Sequence, residues 1–205
     1  MKTEIWRAIA AGGTALAIPG LAGAATIATP INTTYTGSGL PGALQGFAEN
    51  ADGTFTATAD STGNFGVDPN ALGVVFSGID TTVVADNAGG NPINFIAGDL
   101  VGPSSPVTWG AGGWLVMPKS GSTKTNFSQG GSGWVGFAIP DGSDFNYGAV
   151  SVSNVDVGTI TVNEILFETT PNDPLQIPNA PEPSTFGLLA LGAAGVLALR
   201  KRRKA

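Results

Sequence analysis

The end of the chain carries the feature that most constrains it, an uncharged apolar run followed by a dense cluster of cations. The run covers residues 186–199, and the cluster consists of Arg200, Lys201, Arg202, Arg203 and Lys204. An apolar run without charges is stable in hydrocarbon, whereas a dense basic cluster resists translocation and stays in the cytoplasm. The pattern is typical of a membrane stop whose C-terminus remains inside the cell.

The length of the run leaves two interpretations open. It contains 14 residues, or 17 when counted from Pro183, whereas a full membrane span needs roughly 20. Long basic side chains can reach the headgroups from the end of a shorter helix. The alternative is an amphipathic helix in the core of a folded domain, which the absence of a polar face disfavours. We therefore predict a transmembrane helix.

A short polar motif, Pro181-Glu182-Pro183-Ser184-Thr185, precedes the run. The order of this motif, the run with its segment 188–192 (LLALG) and the basic end resembles the PEP-CTERM sorting signal of Gram-negative bacteria. The resemblance implies that an exosortase, a transpeptidase-like membrane enzyme, recognises Pro181, Glu182 and Pro183 and removes the tail. It also implies a bacterium that makes extracellular polysaccharide. It covers the tail alone, so it concerns how the protein is sorted.

A looser resemblance extends into the body. Many exported proteins of the PEP-CTERM group have a Tyr-Gly strand followed by a strand that ends in Glu-Thr-Thr-Pro. The matching residues here are Tyr147-Gly148 and the segment 168–171. No activity is implied by this match.

The N-terminus has the pattern of a secretory signal peptide over residues 1–24. Lys2 and Arg7 precede an apolar stretch at residues 8–21, and Ala22-Gly23-Ala24 fits the small-residue cleavage pattern. The alternative is an uncleaved anchor helix. We expect export across the inner membrane, transient anchoring there with the C-terminus in the cytoplasm, and then a location at the cell surface or outside the cell.

The charge of the body between these ends is strongly acidic. Residues 25–180 contain 2 of the 9 basic residues, Lys119 and Lys124, and 13 of the 15 acids. Their net charge is therefore −11, compared with −6 for the whole chain. Nucleic acid is excluded as a natural partner because its binding needs a basic face. An acidic body favours solubility outside the cell and is compatible with binding of divalent cations.

The chain contains no Cys and no His. The core must therefore hold the fold without disulfides, and the commonest general base and zinc ligand is missing. We expect no catalytic residues, no bound cofactor and no enzymatic activity. The alternative is a hydrolase that uses only Asp and Glu. Its nearest candidates, Glu164 and Glu168, lie about 13 Å apart on one strand, too far for the usual glycosidase pair, and Glu164 is expected to face solvent.

Short strand patterns separated by turns fill the body, which contains no helical pattern. Strand candidates are residues 31–36, 54–60, 72–77, 81–85, 93–97, 114–117, 134–139, 145–154 and 159–169. The third and fourth form a plausible hairpin through residues 78–80, and the last three form an antiparallel meander.

The predicted fold class is all-β, an antiparallel β-sandwich or jelly-roll-like body flanked by an N-terminal signal helix and a C-terminal transmembrane helix. Residues 25–170 form the body, and residues 171–180 a semi-extended Pro-rich linker that holds the body off the membrane. Residues 181–205 form the sorting signal.

Two kinds of ligand remain as candidates. Trp109 and Trp134 are candidate sugar contacts, although burial is the commoner fate of aromatic side chains. Trp109, between Thr and Gly in a predicted loop, is expected to be the more exposed. The acidic turns at Asp52-Gly53 and at residues 141–144 do not match the twelve-residue calcium loop. Weak calcium binding there is the alternative to ordinary turn formation.

Two hypotheses for function follow. In the first, the chain is an exported structural protein of the cell surface or the polysaccharide matrix, and an exosortase-like membrane enzyme and the inner membrane are its partners. In the second, it is an extracellular carbohydrate-binding module associated with exopolysaccharide.

Overall fold

The computed structural model describes residues 25–37, 45–58, 63–70, 73–79, 81–116 and 127–179. Both predicted helical ends, residues 1–24 and 181–205, lie outside these ranges. In the described part of the chain every regular element is a β-strand, and no helix is present that has the length and apolarity for crossing a membrane.

Fourteen strands form the described chain, and all of their pairings are antiparallel. The strands are β1 (Thr26–Thr36), β2 (Gln45–Glu49), β3 (Phe55–Thr58), β4 (Phe65–Asn70), β5 (Gly73–Gly78), β6 (Val83–Asp86), β7 (Asn94–Phe95), β8 (Leu100–Val101), β9 (Thr108–Gly110), β10 (Gly112–Val116), β11 (Gly131–Asp141), β12 (Asp144–Asp156), β13 (Thr159–Glu168) and β14 (Leu175–Gln176). The prediction of an all-β antiparallel body is confirmed.

Two sheets pack face to face. The larger has seven strands in the order β1-β13-β12-β11-β6-β9, with β7 also paired to β11, and the smaller has the order β10-β5-β4-β2-β3. Phenylalanines from both sheets meet between them, with the rings of Phe65 and Phe137 centred 4.4 Å apart. This apolar layer is the main core, and it makes the body a β-sandwich.

A second apolar cluster lies on the outer face of the seven-stranded sheet. The sheet presents small residues there, including Ala85, Gly136 and Ala149. A Cβ added at Gly136 would lie 2.9 Å from Phe95 and 2.9 Å from Val101, so the side chains of these two residues rest directly on the sheet. The two-stranded sheet of β8 and β14 thus forms a third, partial layer over this face.

The segment predicted as a linker belongs to this third layer. Leu175 and Ile177 are fully buried, and β14 pairs with β8. Ile177 also exchanges backbone hydrogen bonds with Gly98 and Asp99. Residues 171–179 therefore belong to the folded body, and the predicted boundary at residue 170 is too early. Apolar side chains at alternate positions outweigh the flanking prolines here.

The predicted hairpin between residues 72–77 and 81–85 is wrong. Strand β5 pairs with β4 and β10 in the smaller sheet, whereas β6 pairs with β9 and β11 in the larger one. The short connection carries the chain across the core. At its start the backbone of Thr82 packs against Gly78, where a side chain would not fit.

The predicted meander of β11, β12 and β13 is confirmed. Its side-chain alternation, however, is interrupted by a bulge in β13 where the register with β12 shifts. Ile160 and Val162 face the main core, but Leu166 faces the outer cluster. Residues 160, 162, 164 and 166 therefore do not share one face, as an uninterrupted strand would require, because the extra residue inverts the alternation.

Candidate functional site

A row of directly opposed residues crosses the outer face of the seven-stranded sheet. It consists of Phe95, Trp134, Ser151, Glu164 and Pro30, from β7, β11, β12, β13 and β1. Directly opposed side chains have Cβ atoms about 5 Å apart. Trp134, Ser151 and Glu164 are half-buried. An indole, a hydroxyl and a carboxylate therefore lie side by side on one face, next to the edge of the third layer.

The position of Trp134 is fixed by Asn94. The side-chain oxygen of Asn94 accepts a hydrogen bond from the backbone N–H of Trp134 at 3.2 Å. Its side-chain nitrogen donates to the backbone carbonyl of Ser132 at 3.3 Å. The Asn94 side chain also fills the space over Gly133, where a Cβ would overlap it. The start of β11 is thus clamped to β7, and the indole is presented by an ordered backbone.

A hydrogen-bonded polar patch continues the row on β12 and β13. The amide nitrogen of Asn163 donates to Ser151 Oγ at 3.2 Å, and Ser153 Oγ donates to Asn163 Oδ1 at 3.0 Å. Thr161 bonds Thr34 of β1 at 2.8 Å. Local sequence patterns alone do not single out these residues. Their placement at alternate positions of two adjacent strands was the available signal, but an ordinary solvent face has the same pattern.

The two glutamates of β13 have different surroundings. Burial raises the pKa of Glu164 above its ordinary value of 4.5. Glu168 is buried, and its carboxylate accepts hydrogen bonds from Thr26 Oγ1 at 3.1 Å and from the backbone N–H of Thr170 at 2.9 Å. Glu168 is thus a structural acceptor that ties β1 and the end of β13 together. Glu164 is half-buried instead of fully open to solvent.

Trp109 lies on a strand, not in the predicted loop. It belongs to β9 and stands opposite Ala85 of β6. Its ring centre is 5.6 Å from that of Tyr147, and it packs on the outer cluster while remaining half-buried. The packing against Tyr147 makes it less available than expected. Both candidate sugar contacts, Trp109 and Trp134, pack against the same outer cluster, and sugar binding by them stays a prediction.

The acidic turns are held by hydrogen bonds of their own. Asp52 accepts from the backbone N–H and the hydroxyl of Thr54, at 3.1 and 2.6 Å. Asp144 accepts from the Asn172 amide at 2.8 Å. Across the described ranges no group of three or more acidic side chains is arranged to hold a metal ion. Weak calcium binding stays a prediction.

The remaining predicted site residues lie outside the described ranges. They are Pro181, Glu182, Pro183 and the basic cluster Arg200, Lys201, Arg202, Arg203 and Lys204. Only their sequence bears on their role.

Comparison with known proteins identifies the tail. Residues 179–203 match the family model of the PEP-CTERM protein-sorting motif. No curated protein sequence matches the chain, and no solved structure matches it either. The motif begins at the last described residue of the sandwich, so the body and the sorting segment are contiguous. The chain is therefore an exported protein that carries a PEP-CTERM protein-sorting motif at residues 179–203, behind an all-β body.

Proposed function

We propose that this chain is a non-enzymatic structural protein of the cell surface or polysaccharide matrix, processed at its tail by an exosortase-like enzyme. The single observation that carries the proposal is the sorting motif at residues 179–203. The run at 186–199 and the five cations after it would hold the precursor in the inner membrane with its C-terminus in the cytoplasm.

The chemistry of the body supports a role without catalysis. The chain has no His or Cys, and the buried carboxylate of Glu168 is used to join strands. The acidic net charge of the body favours solubility outside the cell. A sandwich with a large aromatic core suits a protein that must persist there without disulfides.

Processing can be tested in cells by replacing Pro181, Glu182 and Pro183 with alanine. We expect the full-length chain to accumulate in the membrane fraction, seen as a mass that retains the tail. Ser143→Ala, in an exposed turn of the body, is the matched control and should be processed normally. Unchanged tail removal and location in the triple variant would overturn the proposal.

Anchoring has a separate test. Replacing the five residues 200–204 with glutamine removes the charge that resists translocation. We expect more of the chain to leave the membrane fraction with its tail intact. If the variant is retained and oriented as before, the cations do not hold the precursor.

The row on the outer face favours carbohydrate binding as a second candidate. An aromatic ring can stack on a sugar ring, and beside Trp134 lie the hydroxyl of Ser151 and the amide of Asn163. Glu164 adds a carboxylate acceptor one strand further on. Such a surface would recognise a neutral polysaccharide through stacking and hydroxyl hydrogen bonds.

Affinity electrophoresis with the polysaccharide of the producing cell tests this candidate. Trp134→Ala should abolish retardation, whereas Trp109→Ala should reduce it less because Trp109 packs on Tyr147. Trp114→Ala, on the smaller sheet, is the matched control for loss of a tryptophan. Binding that survives both Trp109→Ala and Trp134→Ala would exclude this surface.

A further inference from the structure

Two apolar side chains project from the turn that follows β7. Among the described residues Ile96 and Leu100 are the large hydrophobic side chains that stay exposed, at 66% and 52%. The turn is ordered by its own bonds, since Asp99 Oδ2 accepts the N–H of Ile96 at 2.8 Å and Asp99 N–H donates to the Ile96 carbonyl at 3.0 Å. We call residues 96–100 the apolar tip. Ile96 and Leu100 stand at the two ends of this turn, and an exposed apolar pair of this kind is a candidate contact for a partner surface.

The apolar tip lies where the chain leaves the body. Gly98 N–H donates to the Ile177 carbonyl at 3.0 Å, and Ile177 N–H donates to the Asp99 carbonyl at 2.9 Å. A Cβ added at Gly98 would be 3.5 Å from Asn179 Oδ1. Six residues, 180–185, lie between Asn179 and Phe186, the first residue of the apolar run, and the two are therefore seven steps apart along the chain. Fully extended, they span at most about 25 Å.

The segment of chain that contains the apolar tip carries little charge. Residues 87–116 carry one charged side chain, Asp99, whereas the body carries 13 acids in all. A cleft of about 810 Å³ adjoins the tip and is lined by Phe95, Leu100 and Val107 among others. The apolar tip therefore lies in a segment of low charge density, although Asp173 and Asp144 are close to the same cleft through Asn172. Few carboxylates on the segment itself oppose contact with anionic headgroups.

We propose that the apolar tip contacts the lipid surface while the tail is in the membrane, and so sets the orientation of the body. This inference rests on the anchoring described under the proposed function. Two aliphatic side chains bind a bilayer weakly by themselves. A tail that holds them within a few tens of ångströms of the surface makes the contact intramolecular, and a weak contact then suffices.

The far end of the sandwich provides an internal reference. Phe95, next to the apolar tip, stands opposite Trp134, and β11 ends at Asp141. Trp134 and Asp141 are seven residues apart on β11. At about 3.3 Å per residue, the turn at residues 142–143 therefore lies roughly 23 Å from Trp134 along the strand. If the tip contacts lipid, that turn faces away from the membrane.

The absence of cysteine from the chain makes a labelling experiment clean. Ile96→Cys and Ser143→Cys are each coupled to an environment-sensitive fluorophore in the full chain and reconstituted into phosphatidylcholine vesicles. We expect a blue-shifted emission at position 96 and several-fold stronger quenching by nitroxide lipids than at position 143. The difference should vanish in a chain that lacks residues 186–199. With the label at position 96, Leu100→Ser should weaken the quenching.

The outcomes separate the two proposals. A full chain that fails to float with the vesicles overturns the anchoring itself. A chain that floats, but whose label at position 96 is quenched no more than that at position 143, overturns the lipid contact alone. A blue shift that appears without vesicles and grows with protein concentration assigns the apolar tip to a second copy of the chain and also overturns the lipid contact.

Discussion

Phe137 lies directly over Gly148, the residue opposite it on the neighbouring strand β12, and its ring occupies the space of the missing side chain. This contact lets the Phe137 ring fill the centre of the core, 4.4 Å from Phe65 and 6.3 Å from Phe167, measured between ring centres. The glycine of the Tyr-Gly pair is thus required by the packing of one aromatic ring.

Gly148→Ala should destabilise the body by about 1–3 kcal/mol, because the added methyl group overlaps a ring that close packing holds in place. Denaturant unfolding measures this change. Gly142→Ala is the matched control. Its φ of 62° makes alanine strained, but nothing lies within 4 Å of the added methyl, so we expect a loss of about 1 kcal/mol. Wild-type stability in Gly148→Ala would show that the Phe137 ring yields without penalty.

Leu175→Ala and Ile177→Ala should each lower the free energy of unfolding by about 2–5 kcal/mol, since both side chains are fully buried in the outer cluster. Urea denaturation measures this loss. Leu100→Ala removes a largely exposed side chain from the paired strand β8, so it should change stability by less than about 0.5 kcal/mol. Wild-type stability in both buried variants would mean that residues 171–179 behave as the linker the sequence predicted.

Stability should fall as the pH rises from mildly acidic values. Burial raises the pKa of Asp86 above its ordinary 3.8, while burial and the charge of Asp141 raise that of Glu49 above 4.5. The unfolded chain ionises these groups at their ordinary values. At a pH between the ordinary and the raised pKa values, the folded state therefore binds more protons than the unfolded chain. The free energy of unfolding decreases as the pH rises through that interval. The melting temperature measured from pH 4.5 to 7 in 0.15 M salt should decline.

Asp86 is the residue on which to test this dependence. Its Oδ2 accepts the N–H of Gly112 at 3.1 Å, whereas its buried Oδ1 has no hydrogen-bond partner among the described residues. Asp86→Asn should flatten the decline. Asp52→Asn is the control. Hydrogen bonds from Thr54 lower the pKa of Asp52 below its ordinary 3.8, so its effect on stability changes at a pH below this range, and the variant should leave the decline unaltered. A melting temperature that rises with pH in wild type would contradict the assignment.

Glu168→Ala should lower the free energy of unfolding by about 1–3 kcal/mol, because it leaves Thr26 Oγ1 and the Thr170 N–H without their acceptor. Thr26→Val removes only the first of these bonds and should have the smaller effect. Thermal unfolding distinguishes the two variants. If Thr26→Val is as harmful as Glu168→Ala, the bond to Thr170 contributes nothing.

Much of the fold follows from local patterns in the sequence. The strands β11, β12 and β13 were predictable because each is long and is separated from the next by a recognisable turn. Strand β4 was missed because its Asp68-Pro69-Asn70 segment has the composition of a turn, yet Asp68 and Pro69 pair with β5. The hairpin of β5 with β6 was mispredicted because a short connection between apolar runs also suits strands of opposing sheets.

The outer face was harder to predict for a different reason. The bulge in β13 and the two-residue strand β14 depend on tertiary contacts that no local pattern specifies. The row through Trp134 joins residues from five strands, so knowing that Trp134 lies in a strand does not reveal Ser151 or Glu164 beside it. The sorting motif, by contrast, is read from contiguous residues and needs no fold for its recognition.

The two-residue pairing of β14 with β8 has a mechanical consequence. Tension applied through the tail reaches Ile177 first and breaks its bonds with Gly98 and Asp99 one after another. Once the bonds of Asn172 with Asp144 and Phe145 broke as well, residues 170–179 would extend over roughly 30 Å, at about 3.3 Å per residue, before the load reached the ladders of β13 with β12 and β1. In a tethered molecule of this kind, a short-lived force would detach β14 first and leave the aromatic core folded.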